Sequence, residues 1–353
     1  MTVRTEIRVR ERDTLRTVRE VLKSLFEEKL IDEMLVPLEV PRVDRVTPTI
    51  IRDPMQLNAA NPLAPVMRMN SAGMLAHQRR EDNGTRLGVV MHPCELRTLI
   101  ELSKVGRIDL KSLLLIGIDC MGTYEPDTYA QIARGSTRSP TDETLRWTRQ
   151  GPIAPYRLRN ACQICEHFTP EHVDIAISLI GYDVRERMMI EASDDMAEQL
   201  NWRPSDHDGR EKALTRLAGI RRHRREAAIA QAEQMVNDVS SLFAIFAQCD
   251  ACGKCNDACP FCGTAAFRPS LAKGGRAFDT PALMSGGVGP FDDLVAWGRR
   301  AASCVSCGMC ESACEKHTPL VAIQAALGRK LQETYHYVPG RDIHERLPWA
   351  MAG

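Results

Sequence analysis

Two cysteine runs near the C-terminal end repeat the spacing C-x-x-C-x-x-C-x-x-x-C. The first holds Cys249, Cys252, Cys255 and Cys259, and the second Cys304, Cys307, Cys310 and Cys314. Three thiolates at successive three-residue intervals can wrap one face of an iron–sulfur cubane, whose fourth iron then needs a cysteine from elsewhere. In two-cluster ferredoxins the fourth cysteine of each run serves the other cluster. That rule assigns Cys249, Cys252, Cys255 and Cys314 to one 4Fe–4S cluster. It assigns Cys304, Cys307, Cys310 and Cys259 to a second. The chemistry of such centres is one-electron transfer. Gly253 and Gly308, at equivalent positions, leave backbone N–H groups free to approach the sulfurs, and Pro260 ends the first loop.

Other readings of these runs fit less well. Zinc sites favour two separated C-x-x-C pairs over three cysteines in close succession. The subset Cys255, Cys259 and Cys262 has the spacing of radical-SAM enzymes. Only 91 residues follow Cys262, too few for the barrel such a motif opens. That reading also leaves Cys249, Cys252 and the second run unexplained, so Cys262 is expected to be a spare, buried cysteine. Forty-four residues separate the two runs, between Cys259 and Cys304. This is wider than in compact bacterial ferredoxins, and the insertion has helical material from Phe291 to Ala302. The arrangement resembles the helical ferredoxins found in succinate dehydrogenase and heterodisulfide reductase. Ser285-Gly286-Gly287-Val288-Gly289 follows no strand and is not a phosphate loop.

Four further cysteines lie upstream. Cys94 follows a predicted strand and immediately precedes a helix expected to open at Glu95. Cys120 directly follows a second strand. Both thus fall beyond the carboxyl ends of adjacent parallel strands, the edge where α/β sheets bind ligands. Amides at the helix start would favour the Cys94 thiolate. Cys162-x-x-Cys165 precedes a third strand candidate. Spacing alone leaves these four open between a metal site and unrelated cysteines.

The elements that must position these groups follow from apolar periodicity. Thr14 to Leu22 is amphipathic and reads as part of a helix reaching Glu28. Residues 36–66 are rich in Pro and Val, with little helical periodicity. Leu87–Met91, Glu95–Lys104 and Ser112–Ile118 form a strand–helix–strand unit, which implies parallel strands with a right-handed crossover. Asp174–Leu179 and Met188–Glu191 are further strands. Residues 209–247 are helical and highly charged, as one long helix or two in sequence. The run Arg221-Arg222-His223-Arg224-Arg225 reads as a solvated helix face, with a docking patch as the alternative. Leu320–Thr334 is a last helix, followed by a Pro-containing tail.

Composition narrows the function classes. The chain has 353 residues, and its 46 basic and 46 acidic side chains cancel. No global charge therefore recommends a nucleic acid or an anionic membrane. Aromatics at 5% also argue against base stacking. The N-terminus lacks the apolar core of a signal peptide, and runs such as Leu113–Ile118 are far too short to span a bilayer. A cytoplasmic protein without membrane insertion is expected. Nine of the thirteen cysteines crowd between Cys249 and Cys314. In a reducing compartment that crowding points to metal ligation rather than disulfides.

Met91-His92-Pro93-Cys94-Glu95, Ile118-Asp119-Cys120-Met121 and Cys162-Gln163-Ile164-Cys165, followed by Val173-Asp174-Ile175, resemble the beta-subunit family of deazaflavin-dependent hydrogenases and formate dehydrogenases. The likeness runs over about residues 60–200. Ser303 to Gly308 and Tyr337-Val338-Pro339-Gly340 extend it along the formate dehydrogenase branch. The resemblance implies a third 4Fe–4S cluster on Cys94, Cys120, Cys162 and Cys165, with FAD beside it. The flavin region falls on Asn61 to Ala72, with Asn61, Arg68, Asn70 and Ser71 as candidate contacts. Met67 and Met69 read as core residues. Glu315 stands after Cys314 where the family pattern has Pro.

The expected architecture is an α/β flavin and iron–sulfur domain (residues 1–205) and a helical connector (206–247). An all-α helical ferredoxin domain with two clusters (248–334) and a tail (335–353) complete it. The resemblance implies an electron-transfer subunit, relaying electrons between a catalytic partner and a flavin that reduces a soluble acceptor. The partner would be a molybdenum or tungsten formate dehydrogenase alpha-like subunit, or a hydrogenase. No molybdopterin motif or acid–base constellation places the primary oxidation on this chain. The alternative is a flavin-less adaptor wiring a hydrogenase-like or heterodisulfide-reductase-like partner to another carrier.

Overall fold

The computed structural model describes residues 2–40, 45–77, 84–148, 157–205, 209–235, 237–250, 252–262 and 298–350. Seven strands form one sheet: β1 (Thr2–Arg8), β2 (Glu33–Val40), β3 (Arg45–Ile51), β4 (Leu87–Met91), β5 (Leu113–Ile118), β6 (Ile175–Ser178) and β7 (Arg187–Ser193). Their order is β1-β7-β6-β5-β4-β2-β3. The central β2, β4, β5 and β6 run parallel. The flanking pairs β2–β3, β6–β7 and β7–β1 are antiparallel. β4 is buried along its whole length, as a parallel strand covered on both faces should be.

Side chains alternate across the sheet and build two apolar layers. On one face Val90, Ile116 and Ile177 meet α1 (Thr14–Glu27) through Val18, Leu22 and Leu25. Asp13 starts α1 by accepting a hydrogen bond from the Arg16 N–H at 2.9 Å. On the other face Val89, Met91 and Leu115 meet α2 (Ser71–His77) and α3 (Pro93–Lys104). Phe261 and Val305, each beside a cysteine run, join this second layer. The two-run region therefore packs directly on the α/β layer.

Smaller helices α4 (Pro126–Gly135), α5 (Pro140–Leu145), α6 (Asn160–Gln163) and α7 (Asp194–Gln199) fill the remaining connections. The charged segment forms two helices in sequence, α8 (Arg210–Met235) and α9 (Val239–Phe246). Asp119, buried at the end of β5, accepts hydrogen bonds from Leu179 N–H, Ile180 N–H and the Arg210 guanidinium. The start of the connector is thus clamped to the sheet edge. Beyond lie α10 (Lys254–Ala258), α11 (Met309–Ser312) and α12 (Leu320–Thr334). Ile229 and Ala232 of α8 pack on Ala325 and Ala326 of α12. Residues 298–303 are helical, so the end of the Phe291–Ala302 expectation holds. The rest of it, and Ser285–Gly289, lie outside the described residues.

Three readings need correction. Arg221 is not on a solvated face; it is buried at 3% exposure, with a role described below. Met69 is 43% exposed and no core residue, whereas Met67 is buried. Cys262 is half-buried rather than buried.

The C-terminal tail is latched to the helix that carries Cys94. Glu101 of α3, fully buried, accepts from Lys104 Nζ at 2.9 Å, Tyr337 Oη at 2.5 Å and Gly340 N–H at 2.8 Å. Arg97 donates to the Pro339 carbonyl at 2.9 Å through Nε. Removing one partner of a buried pair strands the other charge. Glu101→Ala is therefore expected to cost about 3–5 kcal/mol in chemical denaturation. An unchanged denaturation midpoint would contradict the latch.

Candidate iron–sulfur centres

The four upstream cysteines converge. Cys94, Cys120, Cys162 and Cys165 line one small cavity, together with Gly122, Arg159, Arg221 and Cys307. Each arrives on a different piece of the fold. α3 opens at Pro93 rather than Glu95, so Cys94 sits inside its first turn. His92 caps that turn, and Glu95 accepts the His92 N–H at 2.9 Å. Burial pushes the Glu95 carboxyl up, but hydrogen bonds from His92 and Ser71 outweigh it and hold the group below its usual range. Cys120 follows β5, and its N–H donates to the Phe168 carbonyl at 2.8 Å. Cys162 lies in α6, and Cys165 follows Ile164, the residue that ends α6.

Gly122 brings the Cys120 loop against α6. Its φ is +104°, and a Cβ there would lie 2.6 Å from Leu158 Cδ1 and 3.2 Å from Cys162 Cβ. The close approach lets Thr123 donate its N–H to Cys162 Sγ at 3.3 Å, with Thr123 Oγ1 at 3.4 Å. Burial pushes the Cys94 and Cys165 thiols up and Cys120 to about 12, and neighbouring cysteines reinforce the effect. Cys162 differs. Burial raises it too, but Arg159 and the Thr123 hydrogen bonds prevail and hold it below the usual thiol range. Three crowded thiols that resist ionisation, beside a fourth that favours it, are a donor set that a bound cation would relieve.

Among the described residues, no three His, Cys, Asp or Glu side chains form a site for a metal ion. A cubane makes a different demand, because it spreads four thiolates over a wider tetrahedron than one ion does. The four cysteines around one cavity, with N–H···S bonds already aimed at Cys162, fit that demand.

The C-terminal cysteines also group. Beyond the effect of burial, Cys255 is opposed in ionising by Cys314, Cys262 and Cys249. Cys259 shares a hydrogen bond with Cys262 and feels Cys310 and Cys307. Cys310 feels Cys304 and Cys307. The fourth cysteine of each run thus lies beside the other run. Glu315 and Lys316, the two residues after Cys314, reinforce this crossing. Glu315 pairs with Lys254 of the first run, and Lys316 with Asp250 at 3.6 Å. Glu in place of Pro therefore has a partner of its own.

Gly253 and Gly308 take the same left-handed conformation, with φ +76° and +78°, at the starts of α10 and α11. Their matching geometry gives the two runs the same local turn. At Gly308 a Cβ would sit 2.4 Å from Ala161 Cβ, so the second run docks closely on α6. Cys307 accordingly reaches the upstream cavity and influences Cys94. Cys249 and Cys252, by contrast, are exposed.

The candidate flavin contacts are placed less favourably. Asn61 donates through Nδ2 to Glu39 at 2.6 Å and Thr141 at 2.9 Å, while its buried Oδ1 has no partner among the described residues. Asn70 caps α2 by accepting from Ala72 and Gly73 N–H, and its amide also lies beside the Cys307 thiol. Ser71 N–H donates to Glu95 at 2.8 Å. Arg68 alone presents an exposed side chain. None of the four lines the cysteine cavity or the neighbouring one of about 200 Å³ between α3 and the tail. By this test the segment fits a flavin poorly, apart from Arg68.

Neither Arg159 nor Arg221 was read from sequence as part of the cysteine site. Arg159 stands three residues before Cys162, a proximity that could have drawn attention. Arg221 had no such signal.

Residues 84–202 match the family model described as the C terminus of the coenzyme F420 hydrogenase/dehydrogenase beta subunit. The chain shares this family's domain over those residues. It is 21% identical over 357 residues to the F420-dependent formate dehydrogenase subunit beta of Methanocaldococcus jannaschii, covering 91% of this chain and 90% of the relative. It is 24% identical over 211 residues to F420-dependent formate dehydrogenase 1 subunit beta of Methanococcus maripaludis, covering 50% and 54%. These relatives belong to the formate dehydrogenase branch and are oxidoreductase subunits. A solved structure, the xenon-derivatized F420-reducing NiFe hydrogenase complex from Methanosarcina barkeri, aligns at a TM-score of 0.49 and 12% identity. That alignment covers 67% of this chain and 94% of the other. Among the described residues, no helix is long and apolar enough to cross a membrane.

Proposed function

We propose that this beta-family chain is the electron-transfer subunit of a larger oxidoreductase, with three 4Fe–4S clusters and a flavin. Its catalytic partner would be a molybdenum or tungsten formate dehydrogenase subunit, and its product the reduced form of a soluble two-electron acceptor. One observation carries the reading: the cavity lined by Cys94, Cys120, Cys162 and Cys165 is also lined by Cys307 of the second run. Two independent cysteine sets thus abut inside one fold.

The ligands of the upstream cluster would be Cys94, Cys120, Cys162 and Cys165. Those of the dicluster would be Cys249, Cys252, Cys255 and Cys314, and Cys304, Cys307, Cys310 and Cys259. Clusters held by these cysteines would supply one-electron transfer. The chain's own residues shape those properties. Thr123 and Ser306 direct N–H groups at the sulfurs of Cys162 and Cys304. The latched tail fixes α3, the helix that carries Cys94, through Arg97 and Glu101. The exposed Cys249 and Cys252 put the first run at the surface a partner would approach.

The flavin rests on resemblance, and the internal hydrogen bonds of Asn61, Asn70 and Ser71 favour the second reading, an adaptor without flavin. Anaerobic purification followed by flavin quantitation separates the two. A stoichiometric flavin, with reduction of the deazaflavin coenzyme by dye-supplied electrons, would support the first reading. No flavin together with no such reduction would leave the adaptor.

A further inference from the structure

Two buried arginines flank the upstream cysteine set, and neither forms an ion pair with a carboxylate among the described residues. Both are 3% exposed. Arg221 reaches from α8 to the carbonyls of Met121 at 2.9 Å and Cys165 at 3.3 Å, and its guanidinium lies 4.9 Å from the Phe168 ring centre. Arg159 donates to Thr123 Oγ1 at 2.8 Å and approaches Cys162 Sγ at 3.8 Å. Its other contacts are Ser312 Oγ at 3.4 Å and Met67 Sδ at 3.9 Å.

Burying a cation without a counter-ion costs several kcal/mol. Arginine cannot escape that cost by losing its proton. Carbonyl and ring contacts at Arg221, and hydroxyl and thioether contacts at Arg159, supply no negative charge. Cys162 and Cys94 lead the groups that favour the Arg159 charge, ahead of Glu125, which Arg159 reaches only through Ser312 Oγ. We infer that Arg159 and Arg221 are the built-in counter-charges of the Cys94–Cys120–Cys162–Cys165 centre and that they raise its reduction potential. The inference rests on the reading that this set holds a cluster.

The physical reason is Coulombic. A cluster held by four thiolates is anionic, and reduction adds one electron with no proton. Fixed positive charge in a low-dielectric site stabilises the reduced form more than the oxidised form. The geometry places the charge where this needs it: Arg159 and Arg221 both line the cysteine cavity, and Arg159 lies 3.8 Å from Cys162 Sγ. Arg97 is half-buried and its hydrogen bonds go to the Pro339 and Val305 carbonyls, which tie it to the tail and the second run. The charged connector helix is on this account more than a spacer, because one of its arginines completes the wall of the centre.

The test compares Arg221→Gln and Arg159→Gln with Arg221→Lys and Arg159→Lys in full-length, anaerobically reconstituted protein. Iron content is measured first, then the midpoint potential of the upstream centre by EPR-monitored titration. Each Gln variant is expected to weaken reduction about tenfold, or ~59 mV for a one-electron couple. The Lys variants, which keep the charge, should stay near wild type. Gln variants that lose the upstream iron while Lys variants keep it would also support the proposal. Full iron with unchanged potentials in the Gln variants would overturn it. So would iron loss in the Lys variants, which would mean a purely packing role. Wild-type protein lacking the upstream irons would instead sink the cluster reading itself, a result distinct from these.

Discussion

Replacing Cys162 with alanine should remove about four of about twelve irons per chain and spare the EPR signal of the dicluster. The expectation follows from where the four upstream cysteines sit. Cys162 is 9% exposed and receives the Thr123 N–H, so its thiolate is the best prepared of the set. Cys94, Cys120 and Cys165 are pushed up by burial and gain most from a shared cation. Loss of one corner should therefore empty the whole upstream centre. The dicluster ligands lie on other elements, with Cys307 alone lining the same cavity. Cys94→Ala should give the same iron loss. Loss of every cluster on replacing Cys162 would show that the centres do not load independently.

The second large effect concerns which cysteines share a cluster. Crossed ligation predicts that Cys249→Ala and Cys314→Ala act on one centre. Each alone removes about four irons, and the double variant removes no more than either, a non-additivity expected of residues in one unit. Cys304→Ala with Cys314→Ala should instead empty both C-terminal centres, removing about eight. The geometry behind this is the pairing of Glu315 with Lys254 and of Lys316 with Asp250, which carries Cys314 to the first run. The proximity of Cys255 to Cys314, and of Cys259 to Cys310, agrees. If Cys304 and Cys314 behaved as one unit and Cys249 and Cys314 as two, each run would serve its own cluster.

Much of the site was legible because its determinants are local. The unit β4–α3–β5 announces itself by two short apolar runs around a helix, and it delivers Cys94 and Cys120 to one edge. The twin runs carry their own spacing, and the glycine in each adopts the left-handed turn that the repeat suggests. Long-range pairing was less legible. β1 joins β7 across most of the α/β domain, and nothing in Thr2–Arg8 names its partner. β2 and β3 were obscured by Pro37 and Pro48, which argue against strands. The fold tolerates both because β2 meets β4 only over Glu33–Leu35 and β3 is an edge strand. The two prolines face each other in the β2–β3 register.

Charge patterning failed at Arg221 for a related reason. A run of five basic residues shows no periodicity that marks the one turned inward. Arg222 and Arg225 do what a surface reading expects, pairing with Glu166 at 3.1 and 3.3 Å. Arg221 turns the other way, into the cavity wall. The tail posed the same difficulty, since Tyr337 and Gly340 acquire their purpose only when Glu101 of α3 lies beneath them.

The central claim is that this one chain holds three cubanes, and wild-type iron stoichiometry tests it most directly. Anaerobically purified and reconstituted protein should contain about twelve irons per chain, with acid-labile sulfide in equal amount. About eight irons that persist after repeated reconstitution would contradict the upstream centre and confine the clusters to the two C-terminal runs.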